Sequence, residues 1–186
     1  MKKRKKNKNP KVKKVEVAAT AKTTKYFGKV SLNQWGEFDG KLNGQNVRIS
    51  MAGFNDDFED KLPFFWQVVD KYMEIYEKTK NALVEYYDEE DDDKRCWSIR
   101  YFFNELFGYK PKRELREVFG VTNFEDFDIT SFVEKMKYPY LTIHYGCGLE
   151  IYVGYTPSDL ENWYDKRLLV VLDKNLKVKN FCAILD

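Results

Sequence analysis

The hydrophobic pattern of this chain changes period twice, and that double switch constrains its fold more than any motif does. From Phe27 to Met51 apolar residues alternate with polar ones. From Lys61 to Met136 they recur at steps of three and four, and from Leu141 onward the alternation returns. Strand side chains repeat every two residues and helix side chains about every 3.6, so the order reads strands, helices, strands.

The first block predicts three strands, at Phe27 to Leu32, Glu37 to Leu42 and Val47 to Met51. Asn43-Gly44 joins the last two and tolerates the positive φ angles of a type I′ hairpin. Val47, Ile49 and Met51 alternate with Arg48 and Ser50, which buries one face and wets the other. Such a pattern points to an antiparallel sheet covered on one side.

In the helical block Leu62, Phe65, Trp66, Val69, Met73 and Tyr76 share a face, with Pro63 in a first turn that accepts proline. This helix is expected to run on through Tyr87. A second covers Lys94 to Leu106, a third lies between Pro111 and Gly120, and a fourth spans Ile129 to Met136 with Asp128 as N-cap. Strands then return at Leu141 to Tyr145 and Leu149 to Val153, reversed by Gly146-Cys147-Gly148. Leu168 to Leu172 reads as a central strand covered on both sides, and Leu176 to Leu185 as the closing strand. The expected fold is α+β: an antiparallel sheet of about six or seven strands with one helical layer on one face, in the order β3-α-β4.

Charge divides the chain differently. Residues 1–14 hold nine of the 32 Lys and Arg and no acid, so the remaining body carries 23 bases against all 30 acids. The mildly basic total therefore hides a +9 tail on a −7 body. Lys/Asn-rich sequence buries nothing, which predicts a disordered tail over residues 1–23 and a single domain over residues 24–186. No apolar run reaches the roughly 18 residues of a membrane span, and the basic N-terminus lacks a signal peptide's apolar stretch, so a cytoplasmic protein is expected. Cys96, Cys147 and Cys182 lack metal-like or CxxC spacing and read as reduced thiols.

Catalytic chemistry finds little support. There is no GxSxG, and His144 is the one histidine. Cys147 lies close to it in sequence, but a turn separates them and no third residue orients the imidazole. No metal site or cofactor is expected, since Cys and His are scattered and the acidic run lacks the glycine and terminal Glu of a calcium loop. Two acidic segments are candidate partner-binding surfaces. One is the linker Asp88, Glu89, Glu90, Asp91, Asp92 and Asp93; the other is the loop with Asp159, Glu161, Trp163, Tyr164 and Asp165. Trp163 reads either as a binding ring or as a ring tucked onto the core. The tail residues Lys2, Lys3, Arg4, Lys5, Lys6, Lys8, Lys11, Lys13 and Lys14 are candidates for contacting a polyanion. The tail has no aromatic ring with which to stack a base.

Several short stretches resemble one family. They are Tyr26-Phe27-Gly28-Lys29-Val30, Leu42-Asn43-Gly44 with Val47-Arg48-Ile49, Ala82-Leu83 followed by Tyr86-Tyr87, and Leu168-Leu169-Val170-Val171 before Asp173. The chain is similar in these to a family of small bacterial domains of unknown function, some of whose relatives sit beside polymorphic toxin genes and are regarded as immunity proteins. The tail and the aromatic Leu141 to Lys166 stretch depart from the family pattern, and the family offers no catalytic residues to carry over. The resemblance implies the fold and a context, that of relatives regarded as neutralising toxins. With the acidic body, the expectation is a non-enzymatic, cytoplasmic protein-binding domain that neutralises a basic toxin, its acids steering encounter and its rings anchoring contact. The alternative is a nucleic-acid-associated protein that binds through the Lys-rich tail.

Overall fold

The computed structural model describes residues 21–53, 58–88, 98–146, 148–158, 163 and 166–185. Its strands are β1 (Ala21–Thr24), β2 (Gly28–Ser31), β3 (Glu37–Leu42), β4 (Gln45–Ala52), β5 (Tyr140–His144), β6 (Glu150–Tyr155), β7 (Lys166–Asp173) and β8 (Val178–Leu185). Between β4 and β5 lie α1 (Phe58–Asp70), α2 (Tyr72–Glu85), α3 (Ile99–Tyr109), α4 (Lys112–Phe119), a 3₁₀ turn (Phe124–Asp126) and α5 (Ile129–Lys135). The fold is α+β, as the periods require.

The sheet corrects the expectation in two respects. Its six strands run in the order β3-β4-β5-β6-β7-β8 and it is mixed, because β4 pairs with β5 in parallel, Ile49 opposite Leu141 and Met51 opposite Ile143. A parallel pair needs a long crossover, and the whole helical block between Ala52 and Tyr140 supplies one. Secondly, β1 and β2 form a separate two-stranded sheet. This hairpin begins at Ala21, inside the stretch assigned to the tail by composition. It is held on α1 by Asp70, whose Oδ2 accepts from Lys22 Nζ at 2.7 Å and whose Oδ1 accepts from the Lys25 amide at 3.2 Å.

The local expectations at the β3–β4 turn hold. Asn43 and Gly44 have φ of 50° and 82°, the two left-handed conformations of a type I′ connection. Asp128 caps α5 by accepting from the Thr130 and Ser131 amides. The long helix differs: it starts at Phe58, which places Pro63 a turn deeper, and it breaks at Lys71. There the Lys71 amide is shared between the Gln67 and Val68 carbonyls at 3.1 Å each. No helix-breaking residue stands at that point.

The helices pack on the sheet face carrying Val47, Ile49, Met51, Leu141, Ile143, Ile151, Val153, Leu168, Val170 and Leu172, all buried. From α2, Thr79 reaches Tyr155 on β6 and Tyr86 packs on Phe181 of β8. The aromatic richness is largely internal. Phe102, Phe103, Phe107, Phe119, Phe124, Phe127 and Phe132 form a network among α3, α4, the 3₁₀ turn and α5, with Phe103 and Phe127 centroids 4.7 Å apart. Edge-to-face and offset pairs of this kind add about 0.5–1.5 kcal/mol each beyond their buried area.

Core tyrosines give the fold an alkaline limit. Tyr72 donates to the Pro139 carbonyl at 2.6 Å, and burial pushes its phenol far above the ordinary range. Tyr155 is raised in the same direction by burial, and Tyr87 and Tyr145 are pushed up to about 12 by theirs. A phenol whose folded pKa lies above its unfolded value of about 10 stabilises fully below that pH. The contribution disappears as pH rises through the folded values. Circular dichroism should therefore hold to about pH 10 and be lost above it, with buried tyrosinates appearing together with unfolding. Independent titration of all thirteen tyrosines near pH 10 with the fold intact would contradict this packing.

Candidate partner-binding face

Because alternate residues of a strand point to opposite faces, the inward set above leaves Arg48, Ser50, Tyr140, Thr142, Tyr152, Gly154, Arg167 and Leu169 on the outer face. Register places them in rows. Asp39 pairs with Arg48, Tyr140 with Gly154, and Gly154 with Leu169; in the next row Ser50 faces Thr142, which faces Tyr152. The outer face of β3, β4 and β5 forms a broad open trough, bordered by the 137–139 segment and by Thr156 and Arg167.

At the centre, Tyr140 lies across Gly154. A Cβ on Gly154 would stand 1.9 Å from Tyr140 Cζ, so the ring occupies the space that any side chain would need. Arg167 places its guanidinium 5.5 Å from the centroid of the same ring. Burial raises the Tyr140 phenol, with Arg167 pulling it back. On the neighbouring strand Arg48 Nε donates to Asp39 Oδ1 at 2.8 Å, and both side chains are 61% exposed. Ser50 Oγ and Thr142 Oγ1 are 3.0 Å apart. At the rim, Asn43 Nδ2 donates to the Tyr138 hydroxyl at 2.8 Å.

Of the predicted surfaces only Asp88 and Trp163 are described, and neither lines the trough. Asp88 is exposed and accepts from Arg100 Nη1 at 2.6 Å, beside the end of α2 where Tyr86 meets β8. The trough borders the opposite end of α2, where Tyr76 packs on Tyr138 at 5.1 Å. Glu89, Glu90, Asp91, Asp92, Asp93, Asp159, Glu161, Tyr164 and Asp165 lie outside the described residues, as do all nine tail cations and Cys147. His144 packs edge-on against Tyr152 at 5.6 Å. Cys182, on β8, is half-buried.

Of the two readings of Trp163, the structure has the ring tucked onto the core. It is fully buried, 5.6 Å from the Phe119 ring, and its Nε1 donates to Glu114 Oε2 at 2.8 Å. An indole placed against the helical layer with its one donor satisfied is part of the core and unavailable to a partner. Among the described residues the exposed tryptophan is Trp35, 67% exposed in the β2–β3 connection.

Sequence reasoning missed Arg48, Tyr140 and Arg167 as a group. One signal was present: glycine in the middle of the Ile151 to Tyr155 strand marks a close approach, here by the Tyr140 ring. Among the described residues no three His, Cys, Asp or Glu side chains stand together to hold a metal ion, and no helix is long and apolar enough to cross a membrane. No protein-family model matches the chain, and comparisons with curated proteins and with solved structures give no match.

Proposed function

We propose that this chain is a non-enzymatic protein-binding domain that inhibits its partner by covering it, in the manner of an immunity protein against a toxin. The observation that carries the binding reading is the outer sheet face, where Arg48, Tyr140 and Arg167 stand together and no described helix packs. Arg and Tyr are residue types enriched at interface hot spots, and a rigid sheet presents them at little entropic cost. Lying Tyr140 on Gly154 leaves its ring with little freedom to lose on docking. The inhibitor class comes from the resemblance of the strand and helix motifs, and the acidic segments beginning at Asp88 would supply contacts to a basic partner.

A photoreactive amino acid at exposed Asn46, on the outer face of β4, should crosslink the partner in cells, whereas one at exposed Glu117 on α4 should not. Adducts from Glu117 alone would move the interface to the helical layer and remove the carrying observation. The inhibitor class has its own check. A toxin encoded beside the gene should lose its growth inhibition when this chain is co-expressed, and the class falls if growth remains inhibited.

A further inference from the structure

We infer that the trough docks an acidic, extended protein segment, whose carboxylates bind between Arg48 and Arg167. This rests on reading the outer sheet face as the partner surface, and it names the chemistry of what lies there. Among the described residues lining the trough, Lys41, Arg48, Lys137 and Arg167 are cationic and Asp39 is anionic. A domain whose body is acidic overall therefore presents a locally basic face. Local potential, more than net charge, selects what docks at a given surface.

The placement of the two arginines fits carboxylates. Arg48 stands on β4 and Arg167 on β7, with Tyr140 on β5 between them. Neighbouring strands are about 4.8 Å apart, so these cations lie on either side of the ring within the span of a few residues of extended chain. A planar guanidinium takes a carboxylate through two parallel hydrogen bonds. Arg48 already binds one carboxylate, that of Asp39, and its side chain is 61% exposed, which leaves its remaining donors in reach of a second. The Ser50 and Thr142 hydroxyls, 3.0 Å apart, add polar contacts in the next row.

Single-stranded nucleic acid fits less well, although it is also anionic. Stacking needs an open ring face, and Tyr140 lies on Gly154 on one side and faces the Arg167 guanidinium. Tyr138 is packed edge-on to Tyr72 and Tyr76.

The test uses the full-length chain and two fluorescent probes, a twelve-residue Glu/Asp/Tyr peptide and a single-stranded oligothymidine of about equal charge. The peptide is expected to bind, more weakly as salt rises. R48E and R167E should each weaken it about tenfold or more, while K112E/R113E on exposed positions of α4 should leave it within about twofold. Both reversed arginines are exposed, and circular dichroism of each variant controls for folding. Three results would overturn the inference: no peptide binding; peptide binding indifferent to R48E and R167E, which assigns it to the basic tail; or tighter oligothymidine binding that those reversals abolish, which makes the face a nucleic-acid site. Crosslinking from Asn46 without peptide binding would leave the interface standing and remove only the acidic ligand.

Discussion

Replacing Trp163 by Ala is expected to cost about 3–5 kcal/mol of stability, the range for removing a large aromatic from a packed interior. The indole is fully buried, rests on Phe119, lies 4.8 Å below the Lys110 ammonium and gives its N–H to Glu114. It is also the described point at which the connection between β6 and β7 touches the helical layer. Urea denaturation should show the loss as a lower midpoint. Trp163→Phe should retain much of the ring contact and lose mainly the hydrogen bond, about 1–1.5 kcal/mol. Trp35→Ala provides the contrast, since the ring is 67% exposed and its removal should stay within about 0.5 kcal/mol. Equal costs at Trp163 and Trp35 would mean that Trp163 does not anchor the connection. A loss at Trp163 would also relax the strand ends at Thr156 and Arg167, and through Arg167 the trough.

What could be read from the sequence was whatever depends on near neighbours. Asn43-Gly44 announces its hairpin because positive φ at two successive positions selects those residues, and Asp128 announces the start of α5 because its carboxylate satisfies orphan amides. The alternation Val47, Ile49, Met51 correctly separated an inner from an outer face. It could not give the direction of the next strand. One covered face and one wet face occur in a mixed sheet as readily as in an antiparallel one, so the sheet was expected antiparallel, whereas its β4–β5 pair is parallel. The decisive fact was non-local: a helical block connecting two adjacent strands can return the chain to its starting end.

The same reason hid the trough. Ser50 and Thr142 meet across a separation of 92 residues, and Arg48, Tyr140 and Arg167 converge only once β4, β5 and β7 share a sheet. Trp163 was obscured in the opposite way. Its acidic neighbours left a binding ring and a core ring equally open, and the ring turns inward to Phe119 and Glu114. The period of a short irregular segment carries no signal for such a residue, because neither a helix nor a strand sets its direction.

Thr79→Val is expected to cost more than Tyr155→Phe, although the two side chains share one hydrogen bond. Both residues are buried, one on α2 and the other at the end of β6, so the pair ties the helical layer to the sheet. Thr79 Oγ1 lies 2.9 Å from the Ile75 carbonyl and donates to it, which leaves the Tyr155 hydroxyl to donate to Thr79. The chain of donors thus runs from the phenol through the threonine to the helix backbone. Valine keeps the threonine shape but strands the phenolic O–H in an apolar site, and an unmet buried donor costs about 1–3 kcal/mol. Phenylalanine removes the donor itself; Thr79 keeps its bond to Ile75 and loses only an accepted one, about 0.5–1.5 kcal/mol. With both changes nothing polar is left unpaired at the contact, so Thr79→Val/Tyr155→Phe should be closer to wild type than the sum of the single variants. A thermodynamic cycle from urea melts measures that coupling, and simple additivity would show that the two hydroxyls do not depend on each other. The alkaline limit offers a second readout. Tyr155→Phe deletes a phenol held neutral by burial, so the pH at which the fold is lost should rise relative to neutral-pH stability. Thr79→Val leaves that phenol buried and without its acceptor, and should gain no such tolerance.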